Sequence, residues 1–240
     1  MSKRITAAVF DVDNTQLDFY TMKKHCVKAG LEKMISRGLP VSFDEAERIL
    51  DEVFRNEGWE DQRLFWHVAE YAGIKDQVNL ERFAQLGKTA YRKHQRDYLQ
   101  PYEGMRETLT YLRDAGIRLA ILSDAPRLKV FDRVCDAELE EFFEDRVVGA
   151  EKDDPFKKPS AVAFQRVLKV LQQDSPKGII MVGDQPYRDV LGAKNNGFIA
   201  AWAKYGYIPK HDEDINKVVT RADYVLEKPT DLIEIVKNAQ

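Results

Sequence analysis

Two aspartates follow the first apolar run of this sequence, at a spacing that could serve metal binding or acid–base chemistry. In the stretch AAVFDVDNTQLDF the apolar residues end at Asp11, and Asp13 comes two residues later. Two carboxylates beside a buried strand lose hydration and repel each other, so a bound cation is the simplest compensation. The rest of the chain would then have to supply further ligands and a group on which the cation can act.

A hydroxyl, an amine and a further carboxylate follow three later apolar runs. Ser123 comes directly after IRLAIL, Lys158 follows RVVGA, and Asp184 follows GIIMV. Carboxylates with no histidine or cysteine among them favour a hard, oxygen-preferring cation such as Mg²⁺. An amine and a hydroxyl beside that cation suit a phosphate group, whose oxygens they could neutralise. One aspartate could then attack in line as a nucleophile, and the other could give a proton to the leaving oxygen.

The elements that must position these residues are short apolar runs that alternate with helical patterns. The strand candidates are residues 5–10, 117–122, 146–150, 178–182, 198–203 and 222–226. Their near-continuous apolar character predicts strands covered on both faces, as in a parallel sheet. Helical patterns at 159–173 and 186–197 lie between them, which predicts a doubly wound α/β domain. In such a sheet, ligands bind beyond the carboxyl ends of the strands, where the polar residues above are placed.

The interval between the first two predicted strands is too long for one crossover and has the pattern of helices. Helices are predicted near 20–36, 42–54, 61–73 and 79–99. The second of them begins with a capping box formed by Ser42 and Glu45. We therefore expect residues 19–99 to form an inserted all-helical domain, and residues 1–18 and 100–240 to form the α/β core domain.

Composition excludes several classes of protein. Of the 240 residues, 44% are hydrophobic and 32% are charged, which predicts a packed domain rather than disorder. The net charge of −3 gives no electrostatic reason for binding nucleic acid or an anionic membrane surface. Cysteine occurs only as Cys26 and Cys135, so a zinc site built from thiolates is not expected.

The apolar runs are all short. The run at residues 5–10 is too short for the apolar region of a signal peptide, and no run approaches the ~20 residues of a membrane span. The polar stretch KHDEDINK at 210–217 predicts a surface loop. These observations favour a cytoplasmic enzyme or binding protein.

Four segments together resemble the signature motifs of the haloacid dehalogenase (HAD) superfamily. They are FDVDNT, ILSDA, KKPSAVAF and VGDQPYRDVLGAKNNGF, and they occur in the order of that superfamily's motifs. The resemblance covers the predicted core domain and implies a Rossmann-like fold. The helical insertion resembles the cap domains of the superfamily in position and length, which implies that it closes over the substrate and selects it.

The resemblance implies catalytic and phosphate-binding roles for four residues. Asp11 would be the nucleophile that becomes an aspartyl phosphate, and Asp13 would be the general acid/base. Ser123 and Lys158 would bind the phosphoryl group. Lys157 is the weaker lysine candidate, because the motif places proline directly after the lysine.

The resemblance also implies a Mg²⁺ site. Its ligands would be Asp11, the backbone carbonyl of Asp13, and Asp184. Thr15 would steady the loop after the first strand, and Asp189 would support the site from behind the ligands.

Two residues of the first motif depart from its usual form. Asn14 stands where the motif frequently has glycine, and this replacement also occurs among phosphatase members. Gln16 replaces a usual leucine, so the packing at the hinge of the insertion is in question rather than the chemistry.

The function that these features imply is a Mg²⁺-dependent phosphatase of a small phosphorylated metabolite. Phosphoglycolate, sugar phosphates and nucleotides are all open as substrates, and the sequence does not indicate an oligomeric state. The alternatives are a phosphomutase, a 2-haloacid dehalogenase, or a non-catalytic binding protein on the same fold. Asp13 argues against the dehalogenase, whose chemistry needs neither the metal nor a second aspartate.

Overall fold

The computed structural model describes residues 4–59, 61–151, 157–209, 216–219 and 221–239. The chain divides into two compact units. The first consists of Met1–Phe19 and Leu99–Gln240, and the second of Tyr20–Tyr98. In the part of the chain that the structure describes, no helix is long and apolar enough to cross a membrane.

A parallel sheet forms the centre of the first unit. Its strands are β1 (Ala7–Phe10), β2 (Arg118–Pro126), β3 (Val147–Ala150), β4 (Ile179–Gly183), β5 (Ile199–Ala203) and β6 (Tyr224–Leu226). Their order in the sheet is β3-β2-β1-β4-β5-β6, and every neighbouring pair is parallel. The predicted doubly wound α/β fold is therefore confirmed.

Strand β1 is central because its four residues are apolar and fully buried. It pairs with β2 on one side and with β4 on the other, so Phe10 lies opposite both Ile121 and Val182. The strand order reverses at this point, and the carboxyl ends of β1 and β4 flank the crevice where open α/β sheets bind their ligands. Asp11 and Asp184 follow these two ends.

Four helices make up the second unit, as the sequence predicted. They are α1 (Phe19–Ile35, of which Phe19 itself belongs to the first unit), α2 (Phe43–Glu57), α3 (Leu64–Tyr71) and α4 (Gln77–Tyr98). Their apolar faces meet in one buried cluster that includes Leu31, Val68 and Phe83. The N-cap of α2 is Ser42, whose hydroxyl oxygen accepts a hydrogen bond from the N–H of Glu45 at 3.2 Å.

The remaining helices cover the sheet of the first unit. They are α5 (Met105–Asp114), α6 (Arg127–Asp136), α7 (Ala161–Val170), α8 (Leu191–Asn195), α9 (Asn216–Val219) and α10 (Asp231–Ala239). On one face, Phe164 and Val167 of α7 pack against alternate strand residues such as Val9 and Met181. Alternate side chains of a strand point to the same face of the sheet, so these residues share the face that α7 covers. The ends of the strands remain open for polar residues.

Two predictions of local structure need correction. The helix predicted over 186–197 begins as a π-helical turn, Pro186–Val190, and becomes α-helical only in α8. The wider turn accompanies a hydrogen bond from the N–H of Gln185 to the Asp189 side chain at 2.9 Å. The surface loop predicted at 210–217 lies outside the described residues over 210–215, and its last two residues belong to α9.

Candidate active site

A buried lysine joins two of the acidic residues beyond the strand ends. The Nζ atom of Lys158 lies 2.6 Å from Oδ1 of Asp11 and 2.6 Å from Oδ1 of Asp189. All three residues are less than a tenth exposed. Burial by itself lowers the pKa of a lysine, but the charges of Asp11 and Asp189 outweigh it and raise the pKa of Lys158 above its usual value. The ammonium group therefore stays charged inside the protein.

Three carboxylates converge around this lysine. Asp11, Asp184 and Asp189 each place one oxygen so that the three atoms lie within 4.8 Å of one another. Burial, followed by the charges of Asp11 and Asp189, raises the pKa of Asp184 well above its usual range. Burial also raises the pKa of Asp189 to about 6; Lys158 acts to lower it and Asp11 to raise it. Lys158 therefore compensates these buried acids only in part.

This donor set fits a hard divalent cation. The converging atoms are all carboxylate oxygens, which Mg²⁺ prefers to nitrogen or sulfur ligands. The structure places Asp189 in the same cluster as Asp11 and Asp184, whereas the sequence assigned it a supporting position behind the ligands. Both oxygens of Asp189 accept hydrogen bonds, Oδ1 from Lys158 and Oδ2 from the N–H of Gln185, and the supporting role stays a prediction.

The loop after β1 positions Asp11 through its own backbone. The N–H groups of Gln16 and Leu17 both donate to the carbonyl of Val12, which closes a tight turn. Asn14 has a φ of +58°, a left-handed conformation that asparagine tolerates better than most residues. The side chain of Gln16 is fully buried, and its amide donates to the carbonyl of Asp11 at 3.0 Å. Glutamine therefore has a polar role in this turn that the usual leucine could not fill.

Thr15 connects this loop to the loop after β4. Its hydroxyl oxygen accepts a hydrogen bond from the N–H of Asp184 at 3.0 Å. The same hydroxyl lies 3.4 Å from Oδ1 of Asp184, to which it donates. The two loops that carry the converging carboxylates are thus bound to each other directly.

The side chain of Asp13 points to a different partner. Its Oδ2 atom forms an ion pair with Nη1 of Arg133, a residue of α6. The guanidinium carbon of Arg133 lies 4.5 Å from the ring centroid of Phe19. Sequence reasoning missed Arg133. One signal was present, since Arg133 lies three residues after the buried Val130 and therefore on the inward face of α6.

The two predicted phosphate-binding residues lie near β2. Ser123 is part of β2 and is buried, and its hydroxyl oxygen accepts a hydrogen bond from the N–H of Ala125 at 3.2 Å. The backbone N–H of Lys158 donates to Oδ1 of Asp124 at 2.9 Å, which ties Lys158 to β2. Lys157, the weaker candidate, is exposed.

The segment from Trp202 at the end of β5 to Gly206 reaches both carboxylate loops, which sequence reasoning did not foresee. Trp202 donates from Nε1 to the carbonyl of Asp184 at 2.9 Å, and the hydroxyl of Tyr205 donates to the carbonyl of Thr15 at 2.8 Å. A Cβ on Gly206 would lie 1.5 Å from the carbonyl oxygen of Asn14, so the close approach requires glycine there. The sequence offered only the aromatic run from Trp202 onward as a hint.

Comparison with known proteins agrees with this geometry. A family model for haloacid dehalogenase-like hydrolases matches residues 5–197. The curated glyceraldehyde 3-phosphate phosphatases of Pyrococcus furiosus and Pyrococcus abyssi are 30% and 31% identical, over 98% of this chain and 94% of each relative. The crystal structure of a HAD phosphatase from Thermococcus onnurineus superposes with a TM-score of 0.65 at 27% identity, over 97% of this chain and 98% of that one.

These likenesses extend over both units of the chain. The family match spans the loops after β1, β2 and β4 and the start of α7, which together carry the predicted site residues. The relatives cover nearly the whole sequence, including the helical insertion. The chain therefore belongs to the haloacid dehalogenase-like hydrolase family and is a hydrolase of its phosphatase branch.

Proposed function

We propose that this protein is a Mg²⁺-dependent phosphatase that hydrolyses a small phosphorylated metabolite through an aspartyl phosphate on Asp11. The observation that carries the proposal is the buried contact between Lys158 and Asp11, at 2.6 Å, inside a cluster of three carboxylates. A charged lysine beside a carboxylate nucleophile can bind a phosphoryl oxygen as the nucleophile attacks.

Asp11 would provide the nucleophilic oxygen. Lys158 holds Oδ1, so the other carboxylate oxygen is the one that can attack phosphorus in line. As the bond from that oxygen to phosphorus forms, the bond from phosphorus to the leaving oxygen breaks. Ser123 and Lys158 would donate hydrogen bonds to the phosphoryl oxygens and fix the direction of attack.

Asp13 would move the proton in both steps. In its protonated form it gives a proton to the leaving oxygen as the ester bond breaks, and it is left as a carboxylate. It then takes a proton from the water that attacks phosphorus in the aspartyl phosphate. That second attack restores the carboxylate of Asp11 and releases inorganic phosphate.

The residues that would hold Mg²⁺ are Asp11, Asp184 and the backbone carbonyl of Asp13. When bound, the cation would neutralise the converging carboxylates and the phosphoryl oxygens. Asp189 would hold Lys158 in place, and Thr15 would hold the loop of Asp184, as their hydrogen bonds indicate. Burial and the neighbouring carboxylates raise the pKa of both Asp184 and Asp189, and this supports the proposal because a bound cation would offset that cost.

The substrate would be a small phosphate ester. Two relatives of about 30% identity that cover nearly the whole chain are named for glyceraldehyde 3-phosphate, which makes that compound the first to test. Phosphoglycolate, sugar phosphates and nucleoside monophosphates belong in the same panel. We assign the choice among them to the second unit, which is inserted directly after the nucleophile loop.

The test is release of inorganic phosphate from this panel, with Mg²⁺ and with excess EDTA. We expect turnover of at least one compound that requires Mg²⁺ and is inhibited by Ca²⁺, whose larger and looser coordination shell spoils the in-line geometry. Turnover that persists in EDTA would contradict the metal requirement. Isomerisation of a sugar phosphate without release of phosphate would identify a phosphomutase, and halide release from a 2-haloacid would identify a dehalogenase.

A further inference from the structure

A closed set of hydrogen bonds links the segment from Trp202 at the end of β5 to Gly206 with the two loops that carry Asp11 and Asp184. Trp202 binds the carbonyl of Asp184, Tyr205 binds the carbonyl of Thr15, and Thr15 binds the N–H of Asp184. Trp202 thus contacts the loop of Asp184, Tyr205 contacts the loop of Asp11, and Thr15 joins the two loops to each other. None of these bonds involves a group that would touch the substrate.

The bonds fix Asp184 at both sides of its α-carbon. Its N–H is held by Thr15 and its carbonyl by Trp202, at 3.0 and 2.9 Å. A peptide held on both sides cannot rotate, so the direction in which its side chain leaves the backbone is set. For Asp184, which is 1% exposed, that direction leads to the oxygens of Asp11 and Asp189.

The position of Trp202 follows from the sheet. In the pairing of β4 with β5, Trp202 lies opposite Gly183, and Gly183 is the residue before Asp184. A Cβ on Gly183 would lie 2.3 Å from Cγ of Asp189, so no larger residue fits there. The ring of Trp202 is 7% exposed and is held at its edge by Tyr207, with ring centroids 5.7 Å apart.

Tyr205 is fixed in a similar way. Its ring packs edge to face on Tyr102, with centroids 5.0 Å apart. The one-turn helix Lys204–Gly206 brings Gly206 against the carbonyl of Asn14, where a side chain would overlap the backbone. The phenol is thereby aimed at the carbonyl of Thr15.

We propose that Trp202 and Tyr205 are positioning residues for the metal site, which set the direction of Asp184 through its backbone and through Thr15. The inference rests on the proposed function, since it concerns the affinity of the same carboxylates for Mg²⁺. It adds a third segment of the chain to a site whose predicted residues come from the other strand ends.

The experiment measures Mg²⁺ binding to the substrate-free protein by isothermal titration calorimetry, together with the melting temperature. The variants are Tyr205→Phe and Trp202→Phe, each of which removes one hydrogen-bond donor and keeps an aromatic ring. The control is Phe198→Leu, which weakens packing against Phe164 near the start of β5 without touching either loop.

We expect each donor variant to raise the Kd for Mg²⁺ by about three- to tenfold, the worth of one ordinary hydrogen bond. Turnover should fall at limiting Mg²⁺ and recover at saturating Mg²⁺, while KM for the substrate stays within about twofold of wild type. Phe198→Leu should lower the melting temperature and leave the Kd for Mg²⁺ unchanged. Because Tyr205→Phe changes a single atom, it carries the test if Trp202→Phe fails to fold.

Two outcomes would overturn the inference, and they differ from each other. If wild-type protein binds Mg²⁺ and Tyr205→Phe binds it equally well despite a lower melting temperature, the role of the segment is structural only. If wild-type protein does not bind Mg²⁺, the metal requirement of the proposed function fails and this inference fails with it.

Discussion

Arg133 forms an ion pair with Asp13, linking α6 to the loop that follows the central strand. The two residues are separated by 120 positions, and both are largely shielded from solvent. The guanidinium also lies over the ring of Phe19, so its plane is fixed from two sides. Arg133 therefore determines where the carboxylate of Asp13 points before any substrate binds.

Replacing Arg133 with methionine should lower kcat by about tenfold, a part of the usual worth of general acid–base catalysis. The loss should be larger for alkyl phosphates than for p-nitrophenyl phosphate, because a poor leaving group needs its proton. Lys129→Met is the matched control, since Lys129 lies on the same helix and forms an exposed ion pair with Asp132. Equal losses for both substrates would show that Arg133 does not act through Asp13.

Asp11→Asn should abolish turnover and the covalent intermediate, because an amide is a very poor nucleophile. The measurement is mass spectrometry of acid-quenched protein after mixing with substrate, which should show added phosphate on wild type alone. Asp114→Asn, which neutralises an exposed acid on α5, serves as the control. A phosphorylated Asp11→Asn protein would place the nucleophile elsewhere.

Asp13→Asn should retain substrate binding but reduce kcat by about 10²–10⁴. The reduction should be smallest for p-nitrophenyl phosphate, whose leaving group hardly needs protonation. Steady-state kinetics over a series of phosphate esters with different leaving groups would measure this dependence. A reduction that is independent of the leaving group would mean that Asp13 does not act as the acid.

Lys158→Met should destabilise the metal-free protein by about 3–5 kcal/mol, since it leaves buried carboxylates without their cation. Urea unfolding would measure the loss, and added Mg²⁺ should recover part of it by neutralising the same carboxylates. The neighbouring Lys157 is exposed, so Lys157→Met should change stability by about 0.5 kcal/mol or less. Equal stability of the two variants would show that the buried ion pairs are not needed for folding.

Mg²⁺ should stabilise the protein more at about pH 7.5 than at about pH 5. Burial raises the pKa of Asp189 from 3.8 to about 6 and that of Asp184 above its usual range. Between the two pKa values the folded state binds more protons than the unfolded state, so the metal-free protein loses stability as pH rises through about 6. Above that pH Asp189 is charged, so a cation has more negative charge to neutralise.

Thermal melting at both pH values, with and without Mg²⁺, measures this effect. Asp189→Asn removes one of the two titrating groups and should flatten the pH dependence of the metal-free protein. A shift in melting temperature on adding Mg²⁺ that is the same at both pH values would contradict the prediction.

The sequence alone was sufficient for the fold and for its polar strand ends. Continuous apolar runs such as the one ending at Phe10 favour strands buried on both faces, and the helical patterns between them indicate crossovers. The parallel sheet and the four helices of the insertion follow from this periodicity. The positions of Asp11 and Asp184 also follow, because these strands end where their apolar runs end. Ser123 was predicted to follow its strand, but β2 continues past the apolar run to Pro126 and includes it.

Only the tertiary structure decided which side chains meet. Lys158 contacts Asp11 across 147 positions, and Tyr205 contacts Thr15 across 190. The partnership of Arg133 with Asp13 spans 120 positions, and the hydrogen bond from Trp202 to Asp184 spans 18. Local propensity carries no information on such pairs, since they depend on the order of strands in the sheet and on how each helix packs against it. The sequence by itself thus determined the chemical groups of the site, and packing determined how they are held.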